Sequence, residues 1–326
     1  SPPDELFPPA EPLPIVSPRF PPMAIPEDNP TSVQGVELGR RLFYDPILSG
    51  DGTQSCASCH AQPFAFSDHG QRFSRGIDGS IGTRNAPALV NVGWNLHNFW
   101  DGRVETLEEQ ALEPVVNPIE MNNTWENVVE SLRRHPDYPR LFGHAFGSSE
   151  ITAQRVVQAI AQFERTFVSD DSKYDRFLRG AALLSSAEQR GLELFFTETG
   201  DCFHCHDERL FSVGDFRDIG LDSIPPDPGR GDASADPNDV GRFKIPTLRN
   251  VELTAPYMHD GRFATLEEVL EHYNSGGVHS RNVDPLIRVG RGLGLTPEQK
   301  QDLIAFLKTL TDTSFVRNPQ LANPFE

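Results

Sequence analysis

All four cysteines of the chain fall into two short motifs of one design, Cys56-Ala-Ser-Cys59-His60 and Cys202-Phe-His-Cys205-His206. Such a segment offers two thiols that can form thioethers with the vinyl groups of a haem, and an adjacent imidazole that can swing beneath the iron. Zinc and thioredoxin-type dithiol chemistry also use cysteine pairs. Paired zinc knuckles, however, lie about 15–20 residues apart, whereas these motifs are separated by 146 positions. Neither rival explains a histidine at the same place in both motifs. The spacing therefore predicts two covalently attached haem c groups, with His60 and His206 as proximal ligands. Attachment of this kind belongs outside the bacterial cytoplasm, so a periplasmic or cell-surface location is expected. The first residues show no charged stretch followed by an apolar one, as expected if a leader had already been removed.

The elements that must position these groups are largely helical. A helix pattern runs through Val36–Tyr44 ahead of the first motif, and another through Glu188–Phe196 ahead of the second, begun by Ser186 and Gln189 as a capping pair. Further helices are expected over Ala153–Thr166 and over Pro297–Leu310, the latter capped by Thr296 with Gln299. Strand patterns are scarce, and 221–239, rich in Pro, Asp and Gly, reads as a loop. Residues 1–30 contain eleven prolines and little periodicity, which describes an extended arm.

An internal repeat fixes the architecture. Asn85-Ala-Pro-Ala-Leu-Val-Asn91 through Trp100-Asp-Gly-Arg-Val-Glu-Thr-Leu-Glu-Glu109 matches Lys244-Ile-Pro-Thr-Leu-Arg-Asn250 through His259-Asp-Gly-Arg-Phe-Ala-Thr-Leu-Glu-Glu268 at one offset of 159 without a gap. A mainly α fold follows, with two cytochrome c-like haem domains facing each other, over 31–180 and 181–326, and the Pro-rich arm before them. The same offset sets Pro114 opposite Tyr273. If this position lies over the iron, the second haem has a phenol ligand and the first a side chain unable to ligate; a core-packed Tyr273 is the alternative.

The chain has 326 residues, with 47 acidic against 29 basic and a formal net charge of −18. That balance argues against nucleic-acid binding, which needs a basic face. No run of about 18 apolar residues occurs, so no membrane span is expected.

Over roughly residues 35–312 the sequence resembles the bacterial di-haem cytochrome c peroxidases, and within them the MauG-like branch. The resemblance is carried by both haem motifs, Gly82-Thr-Arg-Asn-Ala-Pro87, Phe99-Trp-Asp-Gly-Arg103, Leu107-Glu-Glu-Gln110, Asn117-Pro-Ile-Glu-Met121, Pro246-Thr-Leu-Arg-Asn250 and Thr254-Ala-Pro-Tyr-Met-His-Asp-Gly261. Classical members have Met where Tyr273 stands, and MauG-like ones have Tyr, so the resemblance implies that Tyr273 is an axial ligand. Met258 competes for that role, but the repeat pairs it with Phe99 as a packing position. Classical members also carry a distal His in the loop that reads Phe73–Gly82 here without one; His69 reads as a polar loop residue. The resemblance implies Glu120 as the distal acid/base, Gln110 as a distal hydrogen-bond donor, Pro114 as a wall of the same pocket and Trp100 as the aromatic between the haems. It also implies an interdomain Ca²⁺ held by oxygens of Asn85, Thr254 and Pro256. His97, His135, His144, His204, His272 and His279 show no ligand spacing, and Trp94 and Trp125 read as core.

The function so implied is a hydrogen-peroxide-dependent oxidase that forms a high-valent state shared by two haems and oxidises tryptophan on a partner protein. A MbnH-like conversion of tryptophan to kynurenine is favoured, because MauG has a surface Trp where this chain has Gly200. The alternative is a peroxide-detoxifying peroxidase supplied by a small electron-transfer protein. A plain electron carrier would need a sixth protein ligand on both irons. The acidic surface favours a basic partner patch.

Overall fold

The computed structural model describes residues 7–68 and 70–326, so His69 lies outside the described residues. Helices α1 Val33–Tyr44, α2 Leu107–Val116, α3 Trp125–Arg134, α4 Tyr138–Phe146 and α5 Ala153–Glu164 build the first half. The connecting helix α6 Lys173–Leu178 leads to α7 Ser186–Phe195, α8 Arg230–Ser234, α9 Leu266–Ser275 and α10 Pro297–Lys308, and α11 Thr313–Val316 closes the chain. Among the described residues the only sheet is the two-residue pair β1 Phe216–Arg217 and β2 Phe243–Lys244, antiparallel with Phe216 opposite Lys244.

Each half is built on a crossing of its opening and closing helices. Helix α1 buries Leu38, Leu42 and Phe43 and crosses α5 at Gly39, where a Cβ would stand 1.9 Å from the Ala159 carbonyl oxygen. Helix α7 crosses α10 in the same way at Gly191, 1.9 Å by the same measure from the Asp302 carbonyl. Glycine is required at both crossings because the backbones touch. Phe43, Phe66, Phe163 and Phe167 form the aromatic centre of the first core, and Phe195, Phe211 and Phe306 with Tyr174 that of the second. Each such ring contributes about 1.5–3 kcal/mol when removed from water.

The repeat of sequence is a repeat of structure. Helices α2 and α9 start with the same capping box, Thr106 with Glu109 and Thr265 with Glu268. Asn91 and Asn250 both adopt left-handed backbone, with φ 55° and 61°, as do Phe99 and Met258 at 63° and 73°. Isolated bridges Asn98↔Val104 and Tyr257↔Phe263 close the equivalent loops.

Three details differ from expectation. Helix α7 is capped by Ser185 and Glu188 rather than Ser186 and Gln189: Ser185 holds the extended backbone a cap needs, and Glu188 Oε2 accepts its N–H at 2.6 Å. The loop 221–239 contains helix α8 and a 3₁₀ turn at Pro237–Asp239. The cores overrun the expected ranges at their ends. Phe315, Val316 and Leu321 pack into the first core, and Tyr174 into the second. The return of the chain terminus is held by Arg40 Nε donating to the Ala322 carbonyl at 2.7 Å and Tyr44 Oη to the Leu321 carbonyl at 2.7 Å.

The halves are joined by a buried ion pair. Arg249 donates from Nη1 and Nη2 to the two oxygens of Asp175 at 2.8 and 3.0 Å, with both side chains fully shielded. The Pro-rich arm, in its described part, lies across this joint: Arg19 Nε reaches Asp175 Oδ1 at 3.2 Å, and Phe20 packs under the Arg249 guanidinium.

Candidate functional site

In both motifs the backbone makes one tight turn, with the N–H groups of His60 and His206 donating to the carbonyls of Cys56 and Cys202 at 3.0 Å. Each imidazole is oriented by a carbonyl further along: His60 Nδ1 to Phe66 and His206 Nδ1 to Phe211, both 2.8 Å. That bond puts the proton on Nδ1 and leaves the Nε2 lone pair for a metal. Burial holds both rings below the ordinary imidazole value, His206 down to about 4, against the opposing pull of the carbonyls of Phe66 and Pro87 or of Phe211 and Pro246. Neutral imidazole is the form that ligates iron. None of the four cysteines is in a disulfide, and burial pushes each thiol up, Cys59 to about 11 and Cys202 to about 12. Two half-buried cysteines beside a neutral, oriented imidazole are the arrangement that thioether attachment of haem uses.

Cys202, Cys205, His206 and Tyr273 line one cavity of about 270 Å³, together with Trp100, Met258, Leu270 and Leu307. Tyr273 is on the last turn of α9, at the place Pro114 takes in α2. Burial raises its phenol well above the ordinary value, and among the described residues no group hydrogen-bonds its hydroxyl. Tyr273 is half-buried, and its hydroxyl, without a protein partner among the described residues, lines the cavity that His206 also lines, so both side chains are available to a group bound there. Met258 lines the same cavity, as the backbone twin of Phe99.

Around the first motif, α2 carries Gln110 and Pro114 four residues apart, both half-buried and on one face. The turn after α2 brings in Glu120. It is pinned by Ile77 N–H donating to the Glu120 carbonyl at 3.0 Å and by Met121 N–H donating to that of Pro114 at 3.2 Å. The Glu120 carboxylate accepts from Asn117 Nδ2 at 2.7 Å, so its partner is Asn117 and not Gln110. Burial raises its pKa, opposed by that hydrogen bond and by the charge of Arg103. Its own charge is felt at both Cys56 and Cys59, which places it at the first motif.

Trp100 is held from both halves. Its Nε1 donates to the Asn85 carbonyl at 2.8 Å, and its carbonyl accepts Lys244 N–H at 2.8 Å. Asn85, Thr254 and Pro256 all line the same cavity. Asn85 Nδ2 donates to the carbonyls of Gln71 and Arg72, at 3.0 and 3.3 Å. Its Oδ1 is left for another partner, and oxygen donors of this kind suit a hard cation.

A family profile described as di-haem cytochrome c peroxidase matches residues 33–182. The methylamine utilization protein MauG of Methylorubrum extorquens is 37% identical over 307 residues, covering 91% of this chain and 84% of that one. The chain belongs to the di-haem cytochrome c peroxidase family. Within that family, the cytochrome c551 peroxidase of Nitrosomonas europaea is also 37% identical, over 87% of this chain and 81% of its own. Among solved structures, a MauG-like protein associated with microbial copper homeostasis superposes with a TM-score of 0.88 at 40% identity, covering 95% of this chain and 99% of that one. The di-haem peroxidase BthA of Burkholderia thailandensis gives 0.78 at 25% identity, over 99% and 97%. This di-haem peroxidase is therefore a peroxide-dependent oxidoreductase with two haem c groups, and among the described residues no helix is long and apolar enough to cross a membrane.

Several neighbours of the site were not singled out from the sequence. Asn117 stands inside the Asn-Pro-Ile-Glu-Met segment, and its distance from Glu120 in a turn was the available signal. Arg103 lies 3.5 Å from the Phe99 ring centroid and pairs with Asp101 and Glu113. Lys244, the repeat partner of Asn85, is shielded enough that burial lowers its amine to about 8. His204, read as an ordinary histidine, meets Glu198 and Asp201.

Proposed function

We propose that this enzyme is a MauG-like oxidase that uses hydrogen peroxide to oxidise tryptophan on a partner protein. The observation that carries the reading is Tyr273, a phenol with no protein hydrogen-bond partner among the described residues, lining the cavity of the second haem motif, where a side chain unable to ligate stands in the first half. When bound, the two haems supply peroxide binding and the storage of oxidising equivalents, one at an open site and one at a His/Tyr site. Glu120 takes the proton of incoming peroxide and returns it to the departing oxygen, a task suited to a carboxylate whose basicity burial has raised. Asn117 holds that carboxylate in place, while Gln110 and Pro114 shape the pocket beside it. Trp100, fixed by hydrogen bonds from both halves, is the oxidisable bridge between the sites. Oxygens of Asn85, Thr254 and Pro256 hold a Ca²⁺ that ties the halves near Trp100.

Gly200 bears on the partner. A Cβ there would lie 2.3 Å from the Leu194 carbonyl oxygen, so this backbone has no room for an aromatic exit residue at that point, and oxidation of the partner proceeds from another face. This supports a MbnH-like activity, tryptophan to kynurenine, as does the 40% identical structure from microbial copper homeostasis. The enzyme acts outside the cytoplasm, and its net charge of −18 favours a partner with a basic docking patch.

The test mixes the all-ferric protein with one equivalent of peroxide and no reductant, following visible, near-infrared and Mössbauer spectra. Oxidation of both haems is expected, followed by mass-spectrometric oxygen addition to tryptophan of a partner. No reaction until one haem is reduced, together with sustained turnover on a reduced cytochrome or cupredoxin, would establish the peroxidase reading instead.

A further inference from the structure

Beside the second haem motif three side chains converge, one of them, Asp201, also on the wall of its cavity. His204 Nε2 hydrogen-bonds Glu198 Oε1 at 3.4 Å and lies 3.3 Å from Asp201 Oδ1, and the three ligand atoms all fall within 4.8 Å of one another. The histidine and Glu198 are open to solvent, at 35% and 76% side-chain exposure, but Asp201 is only 4% exposed. Its Oδ1 is buried with no hydrogen-bond partner, because the contact with His204 lacks hydrogen-bond geometry. A shielded carboxylate oxygen pointed at an imidazole nitrogen without a bond between them is costly unless a third body occupies the gap.

The spacing is compatible with a metal ion: ligands at about 2.0–2.1 Å from a tetrahedral Zn²⁺ are separated by about 3.3–3.4 Å, close to the two distances from His204, and the third pair lies within 4.8 Å. The donor set, one imidazole and two carboxylates, suits a first-row divalent cation of the zinc and copper type rather than calcium. The second oxygen of Asp201 is already committed: Arg288 Nη2 donates to it at 2.8 Å and to the Glu198 carbonyl at 2.9 Å. That guanidinium fixes the loop so that Glu198 and Asp201 face His204, and it leaves Oδ1 as the free donor. The Phe203 ring, with its centroid 4.1 Å from that of His204, packs beside the imidazole.

We propose that Glu198, Asp201 and His204 form a surface site for a zinc-type divalent cation, with the fourth position open to water. Its three residues are other than those assigned to the haem irons and to the Asn85, Thr254 and Pro256 oxygens, although Asp201 also lines the cavity of the second haem motif. Because His204 lies within the Cys-x-x-Cys-His segment, a cation here clamps the residues before Cys202 onto the haem attachment turn.

The test uses the protein with both haems attached, stripped of loosely bound metal and kept in calcium so that oxygen-only sites are filled. Calorimetric titration with Zn²⁺ alone is expected to show one equivalent bound in the micromolar range. Zinc-edge X-ray absorption is expected to show nitrogen and oxygen neighbours at about 2.0–2.1 Å with the outer-shell signature of one imidazole, a readout blind to haem iron. His204→Ala and, separately, the exposed Glu198→Gln should each weaken binding at least about tenfold with two haems still attached. Absence of saturable binding, an absorption spectrum without imidazole, or equal affinity in both haem-replete variants would overturn the site.

Discussion

Replacing Glu120 by Gln separates the proton chemistry of the first site from its architecture. The carboxylate accepts from Asn117 Nδ2 at 2.7 Å, and the amide oxygen of Gln can accept the same bond in the same place. Folding should change by less than about 1 kcal/mol, the worth of one ordinary hydrogen bond. What the variant loses is proton transfer. General acid–base catalysis is worth about 10²–10⁴-fold, or about 3–5 kcal/mol of barrier, and that is the expected fall in the rate of reaction of the all-ferric protein with peroxide in a stopped-flow experiment. The pH profile gives an independent check. Burial raises the Glu120 pKa, only partly opposed by Asn117 and Arg103, so the basic form is lost as pH falls through a value above that of an exposed glutamate. The wild-type rate should show that acid limb, and the variant should not. The stability linkage has the opposite sense: a raised carboxyl favours the fold at low pH, and this contribution is lost as pH rises through the raised value. Gln bears no such loss, so the variant should not melt earlier at neutral pH. A variant rate within about threefold of wild type, where the chemistry requires at least about a hundredfold, would refute the assignment, as would an unchanged acid limb in a well-folded variant.

Tyr273→Met should keep both haems attached but change the axial ligation of one, seen in the low-temperature magnetic spectra, and should abolish reaction of the all-ferric enzyme with peroxide until one haem is reduced. Cys202→Ser should lower covalent haem content, measured by haemochrome assay against protein, while leaving the haem at Cys56 and Cys59 attached. Arg249→Met leaves Asp175 charged, buried and without its bidentate partner. A loss of about 3 kcal/mol is expected by chemical denaturation, the lower end for a broken buried pair because Arg19 keeps its contact. Burial alone would raise the Asp175 carboxyl, but Arg249 and Ser172 overcome it and hold the pKa low. The stability so gained is present at neutral pH and disappears as pH falls through the depressed value, so the variant should show a flatter acid dependence than wild type.

Legibility in the sequence followed from where each signal is written. The two Cys-x-x-Cys-His motifs, the 159-residue repeat and the four principal helices are local patterns, and their chemistry follows from spacing along the chain alone. Caps shifted by one residue at Ser185 because serine stands at both 185 and 186, and only the backbone angle selects between them. The packing of Phe315 and Leu321 into the first core was invisible because nothing local distinguishes a tail that returns to an earlier core from one that stays with its neighbours.

The candidate haem attachment residues, the repeat and the candidate roles of Glu120, Trp100 and Tyr273 thus came from the sequence itself, through motif spacing and a family resemblance. Tertiary structure decided what the linear chain could not hold: that Tyr273 shares a cavity with His206, that Trp100 is pinned from both halves, that Glu120 leans on Asn117, and that His204 meets Glu198 and a shielded Asp201. Each of these depends on burial and on the direction of a side chain, and both are set by the packing of segments far apart in the chain.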